Sequence, residues 1–167
     1  LDVGTGSGCI AIALAAALPA AEVSGCDNSA KALRLAEKNA IINNVNVTFF
    51  RMDVLNPFKI PAPGTYHYIV SNPPYIPDAD KPEMQPEVLI YEPEEALFVP
   101  ADDPLIFYRA ILRFAGRALL QGGKIFFETY HSFASAVADL CRDAGYHKVE
   151  IRKDINGKDR MIKAVKT

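Results

Sequence analysis

Leu1-Asp2-Val3-Gly4-Thr5-Gly6-Ser7-Gly8-Cys9-Ile10-Ala11-Ile12-Ala13-Leu14-Ala15 is the stretch whose reading decides the fold. Three residues of strand character run into a turn punctuated by glycines, and an Ala/Leu helix follows until Pro19 stops it. Strand, glycine turn and helix in that order open a βαβ unit. The glycines allow positive φ and let a ligand come close to the main chain, while the helix start behind them offers unpaired N–H groups.

Outward from that opening, Ala21 to Cys26 reads as a second strand that ends at Asp27. Ser29 is placed to cap a helix from Ala30 to about Ile42, with Leu33, Ala36 and Ala40 on one face and Asn43-Asn44 closing it. Val45 to Met52 is a β-branched and aromatic strand ending at Asp53, and Tyr66 to Ser71 is a fourth strand. Next comes Asn72-Pro73-Pro74-Tyr75-Ile76. Two prolines remove two donors and end any ladder, and the residue before each is pushed to extended backbone. The side-chain amide of Asn72 and the carbonyl of Pro73 can then both face a ligand, with Tyr75 as a flat wall. Two acceptors beside an aromatic plate suit a planar –NH2 group whose nitrogen attacks. A proline-rich turn opened by an asparagine is the plainer reading of the same residues.

At 167 residues the chain reads as one domain with a real core, half of its residues hydrophobic and 23% charged. No apolar run approaches the roughly 18 residues that span a bilayer, and no signal peptide is visible. Cys9, Cys26 and Cys141 are odd in number and lie in apolar runs, which predicts buried thiols in a reducing, cytoplasmic setting. His67, His131 and His147 lack the spacing of metal ligands, so no metal is expected. Leu1 is not Met, and Leu1-Asp2-Val3 reads as the end of a truncated strand, so the chain is expected to be a fragment.

Residues 73–104 hold eight of the twelve prolines, and nine acidic residues against one basic. Such a stretch predicts an irregular lid or binding loop, and its charge is a poor neighbour for a phosphate backbone. Beyond it, Asp103 is expected to cap a helix that has Pro104 in its first turn and runs to about Leu120. Gly122-Gly123 then turn the chain into a strand from Lys124 to Thr129, and a helix from Ser132 to about Ala144 is stopped by Gly145. Two last strands, about residues 147–152 and 160–165, flank the hairpin signal Asn156-Gly157.

Alternating strands and helices predict an α/β fold with a mostly parallel sheet, closed by an antiparallel hairpin. Ligands in such sheets bind beyond the carboxyl ends of the strands, at the switch point. The Gly4–Gly8 turn, Asp27, Asp53 and Asn72–Tyr75 all fall on that rim. A dinucleotide fingerprint needs G-x-G-x-x-G, and here the third position is Cys9. Asp27 stands 23 residues after Gly4, near the spacing at which an acid meets ribose hydroxyls. A role beside a helix cap for Asp27, and as a turn acid for Asp53, remain open at this point.

The Leu1–Gly8 stretch, Asp27 and Asn72-Pro73-Pro74-Tyr75 together resemble the class I S-adenosylmethionine-dependent methyltransferases, in the version that methylates a planar amide or exocyclic amine. With Ile76, Tyr91-Glu92-Pro93, Ala96-Leu97, Phe107-Tyr108-Arg109 and the Asp154–Arg160 run, nearly the whole chain is similar to the HemK-type glutamine methyltransferases of peptide-chain release factors. That resemblance implies a Rossmann-like seven-stranded sheet, S-adenosylmethionine as cofactor with S-adenosylhomocysteine as product, and a release factor's Gly-Gly-Gln motif as substrate. It implies that Gly4, Thr5, Gly6, Ser7 and Gly8 hold the methionine part of the cofactor, with Asp2 supporting the loop. Asp27 would take the ribose hydroxyls, Asp53 with Val54 the adenine, and Asn72 would border both ligands. Asn72 and Pro73 would hold the substrate amide, with Pro74 and Tyr75 packed beside it, and Asn72, Pro73 and Tyr75 would form the catalytic set. The chain departs from the family where Thr129-Tyr130-His131-Ser132 replace its glycine and glutamine, and the family's helical N-terminal domain is not expected within this fragment. A methyltransferase of DNA or RNA base amines, and a cofactor-binding module without catalysis, are the alternative readings.

Overall fold

The computed structural model describes residues 1–56, 64–77, 81 and 94–167. Strand β1 (Asp2–Val3) leads into α1 (Cys9–Ala17), then β2 (Ser24–Asp27), α2 (Ala30–Ile42), β3 (Thr48–Arg51) and β4 (Tyr66–Ser71). After β4 come β5 (Ile76–Pro77), the single turn α3 (Glu94–Leu97), β6 (Phe98–Val99), α4 (Ile106–Ala118) and β7 (Leu119–Glu128). A 3₁₀ turn (His131–Phe133), α5 (Ala134–Asp143), β8 (Tyr146–Lys153) and β9 (Asp159–Lys166) complete the chain.

Among the described residues the main sheet has seven strands in the order β3-β2-β1-β4-β7-β9-β8. The first five in that order are parallel, and β9 runs antiparallel to both β7 and β8. From β1 the chain steps outward to β2 and β3, returns to β4, and then steps the other way to β7. Right-handed crossovers therefore place α1 and α2 on one face and α4 and α5 on the other. The reversal makes a switch point between β1 and β4, the crevice where such sheets take their ligands. The core lies mainly under α4 and α5, where Ile69, Tyr108, Ile111, Phe114, Leu119, Ile125, Phe127, Val137 and Ile162 are buried.

The α/β architecture and the closing hairpin agree with the sequence reading, and α2 has the expected bounds, face and cap: the Ala32 amide donates to Ser29 Oγ at 3.2 Å. Four expectations need correction. Asp103 does not cap α4, which starts at Ile106 after Leu105; its carboxylate instead receives the Arg109 guanidinium. Gly122-Gly123 lie inside β7, where the register jumps between the pairs Tyr66↔Leu119 and Tyr68↔Lys124. A Cβ on Gly123 would sit 2.8 Å from the Leu120 carbonyl oxygen, so this bulge admits only glycine. Regular structure also exists within residues 73–104, since β5 and β6 pair in parallel and α3 makes one turn. In a two-stranded ribbon both strands are edges, so Pro77 is tolerated there. Cys26 and Cys141 are buried as expected but Cys9 is exposed, because it opens α1 at the rim of the sheet. The Tyr91-Glu92-Pro93 signal lies outside the described residues. No described helix is long and apolar enough to cross a membrane.

Candidate active site

Gly4, Gly6 and Gly8 all have positive φ, at 72°, 55° and 86°. A Cβ on Gly4 or Gly6 would meet nothing within 4 Å, so both border open space. Gly8 differs: its Cβ would lie 3.0 Å from the Ala36 Cβ and 3.1 Å from Ile12 Cδ1, so it lets α1 press against α2. The loop is held from several sides. Gly4 and Thr5 amides both donate to the Cys26 carbonyl at 2.9 Å, and Asn39 Nδ2 of α2 donates to the Ser7 carbonyl at 2.9 Å.

Asp2 is 1% exposed and accepts from the Thr5 hydroxyl at 2.6 Å through Oδ2. Its Oδ1 has no hydrogen-bond partner among the described residues. Burial raises the carboxyl above its ordinary pKa, against the Thr5 hydroxyl, the Ala11 amide and the Leu1 ammonium, while Asp27 adds to the rise. Asp2 thus supports the loop from beneath and does not face the open side.

Asp27 closes β2 at the same rim. Its Oδ2 accepts from the Gly6 amide at 2.9 Å and its Oδ1 from the Ser29 amide at 2.8 Å. One carboxylate therefore ties the second glycine to the entry of α2, with lone pairs left over for a hydroxyl. Asp53, two residues beyond β3, accepts from the Leu55 amide at 2.9 Å, and Val54 packs against the core edge. Asp53 is therefore a turn acid that stands on the rim as well, half-buried.

Across the switch point, Val3 pairs with Ser71, which sets Gly4 and Asn72 as the next residues of neighbouring strands. The Ser71 hydroxyl donates to the Val3 carbonyl at 2.7 Å. Asn72 is exposed, Pro73 is buried, and Pro74 and Tyr75 are half-buried. Asn72, Pro73, Tyr75 and Ile76 line a cleft of about 90 Å³ whose other wall is Ala96 and Leu97. A wider groove of about 740 Å³ lies at the amino ends of β2 and β3, bordered by Glu22, Glu37, Asn46 and Phe49, and touches none of the predicted site residues.

Tyr75 points its phenol at Glu128, the last residue of β7, and donates to Oε1 at 3.1 Å. Burial raises the Tyr75 pKa above its ordinary value, and the Glu128 charge and hydrogen bond raise it further against Arg160. Glu128, Tyr130 and Asn39 enter the site without having been predicted as members. A carboxylate at the end of a parallel strand is the same signal that marks Asp27, so Glu128 was findable; Asn39 sits mid-helix with no local signal.

The structure thus gathers Gly4–Gly8, Asp27, Asp53, Val54 and Asn72–Tyr75 on one rim, with Asp2 below it. Comparison with known proteins follows the same line. The chain is 44% identical over 163 residues to a release factor glutamine methyltransferase of Flavobacterium psychrophilum, covering 98% of this chain and 56% of that protein. It is 45% identical over 164 residues to the protein of the same name from Bacteroides thetaiotaomicron, covering 98% and 59%. The chain thus spans somewhat over half the length of these curated relatives. Its fold resembles a crystal structure of a methyltransferase from Pyrococcus furiosus at TM-score 0.69, with 19% identity over 99% of this chain and 74% of that one. The sequence model of the family described as "Methyltransferase small domain" matches residues 1–98, and the chain belongs to that family.

Proposed function

We propose that this chain carries the methyl-transfer centre of a release factor glutamine methyltransferase, which moves a methyl group from S-adenosylmethionine to a glutamine side-chain amide nitrogen and leaves S-adenosylhomocysteine. The observation that carries this reading is the Val3↔Ser71 pairing, which puts the glycine loop and Asn72 side by side across the switch point. The name of the curated relatives agrees with it, as does the cleft that Ala96 and Leu97 close over Asn72 and Pro73.

The residues fit the cofactor. Gly4 and Gly6 border space that a Cβ would not fill, and Asp27 stands at the end of the adjacent strand. Gly4–Gly8 would hold its methionine part, Asp27 its ribose hydroxyls, and Asp53 with Val54 its adenine. When bound, S-adenosylmethionine supplies a methyl group on a positively charged sulfur.

An amide nitrogen is a poor nucleophile because its lone pair is delocalised into the carbonyl. Asn72 Oδ1 and the Pro73 carbonyl, accepting from the two amide hydrogens, build electron density on nitrogen and aim it. The nitrogen held by Asn72 and Pro73 would take up the methyl group that the bound cofactor supplies and give one proton to solvent. The two acceptors strengthen as positive charge grows on nitrogen, so they favour the transition state over the ground state. Positioning of this kind is worth about 7–11 kcal/mol at its best. Three free thiols and a translation factor as substrate fit a cytoplasmic setting.

The test is incubation of the purified protein with labelled methyl donor and, separately, a release factor, its Gln-to-Ala variant, tRNA and DNA. Label on the unaltered release factor alone is the expected result. Label on nucleic acid would transfer the site to a base amine, and tight cofactor binding without any transfer would make the chain a binding module.

A further inference from the structure

Resting on the amide reading above, we propose that Glu128 and Tyr130 are positioning residues, which fix the ring of Tyr75 as the wall against which the substrate amide lies. Tyr75 follows two prolines and is only partly buried, so main-chain pairing alone does not set its ring. Two side chains do. The phenol donates to Glu128 Oε1 at 3.1 Å, and the ring stacks on Tyr130 with centroids 6.1 Å apart and planes 16° from parallel.

Both supports stand on a braced backbone. The Glu128 carbonyl accepts from the buried Tyr108 hydroxyl at 3.1 Å. The Thr129 amide donates to the Arg160 carbonyl at 2.9 Å, and Arg160 Nη1 donates back to the Thr129 carbonyl at 3.3 Å. Tyr130 is itself flanked by His131 and Phe133, with centroids at 4.8 and 5.9 Å. A planar amide aimed by two acceptors still rotates about the line joining them, and a fixed aromatic plane on one side removes that freedom. Misplacement by about 1 Å costs roughly 10²-fold in rate.

The experiment is a cycle of Glu128→Ala, Tyr75→Phe and the double variant, with Glu128→Gln alongside. It is read by kcat on a release factor, by calorimetric cofactor affinity, and by ¹³Cζ-tyrosine NMR. Glu128→Ala and Tyr75→Phe should each lower kcat by roughly 10- to 100-fold with cofactor affinity unchanged, and the double variant should be no worse than either. Glu128→Gln should restore turnover, because its amide oxygen still accepts the phenol. Tyr130→Leu should lower kcat and Tyr130→Phe should not. The ¹³Cζ resonance that vanishes in Tyr75→Phe should move in Glu128→Ala and return in Glu128→Gln.

A Gln variant as inactive as Ala, or additive losses in the cycle, would make Glu128 a proton acceptor and overturn the positioning role. An unmoved tyrosine resonance overturns it without reference to any substrate. A resonance that moves in a protein that methylates no release factor would instead sink the amide reading and leave the Tyr75 contact structural.

Discussion

Ser71 Oγ lies 2.7 Å from the Val3 carbonyl oxygen, in a bond buried between the ends of β4 and β1. One side chain therefore clamps the strand that begins the glycine loop to the strand that begins Asn-Pro-Pro-Tyr. Ser71→Ala leaves the Val3 carbonyl short of this donor and should cost about 1–3 kcal/mol in urea unfolding. Ser71→Thr should retain much of the bond. Equal midpoints for Ala and wild type would show that the clamp carries no stability.

Gly6 and Gly8 share positive φ but not surroundings. Gly6→Ala meets only open space, so its folding cost is the left-handed backbone alone, about 1–2 kcal/mol. Gly8→Ala adds the 3.0 Å approach to Ala36, and overpacking of this kind adds about 1–3 kcal/mol. Thermal unfolding should rank Gly8→Ala below Gly6→Ala. S-adenosylmethionine affinity should fall in Gly6→Ala beyond what its stability predicts, because the added methyl enters the open space where the proposed function puts the cofactor.

Asp27 and Asn72 should separate binding from turnover. Asp27→Ala removes the acceptor for the Gly6 and Ser29 amides and should weaken cofactor binding by roughly 1.5–3 kcal/mol. Asn72→Ala should leave that affinity unchanged and lower turnover by on the order of 10²-fold. Calorimetry and single-turnover methyl transfer read the two effects independently, and an Asn72→Ala protein working at the wild-type rate would remove Asn72 from the reaction.

Asp2 makes stability depend on pH in a defined direction. Its folded pKa is raised, chiefly by burial, above an unfolded value near 3.8. A raised acid binds its proton more tightly when folded, so its favourable contribution is present in acid and declines as pH rises from the unfolded value through the folded one. Asp2→Asn has no such proton to lose. The variant should therefore gain stability relative to wild type as pH rises above about 3.8, and the gain should level off once Asp2 is ionised in the folded protein. A difference independent of pH would show that Asp2 titrates normally.

Much of this was legible before any coordinates. Gly4–Gly8, Asp27, Asp53 and Asn72–Tyr75 each end a strand, and a parallel sheet gathers such residues on one rim whatever the loops between them do. The periodicity of Leu33, Ala36 and Ala40, and the hydroxyl of Ser29, set α2 with its bounds because helix faces and caps are local properties. Regular pairing within residues 73–104, the bulge at Gly122-Gly123 and the true start of α4 were not legible, since each depends on a partner strand or helix distant in the chain. The same holds inside the site. Sequence alone determined that the glycine loop, Asp27, Asp53 and Asn72–Tyr75 reach the rim. Only the tertiary structure decided that Gly8 lets α1 press against α2, that Asp2 lies beneath the loop, and that Glu128 and Tyr130 touch Tyr75, because contacts between residues 53 and 55 positions apart carry no local trace.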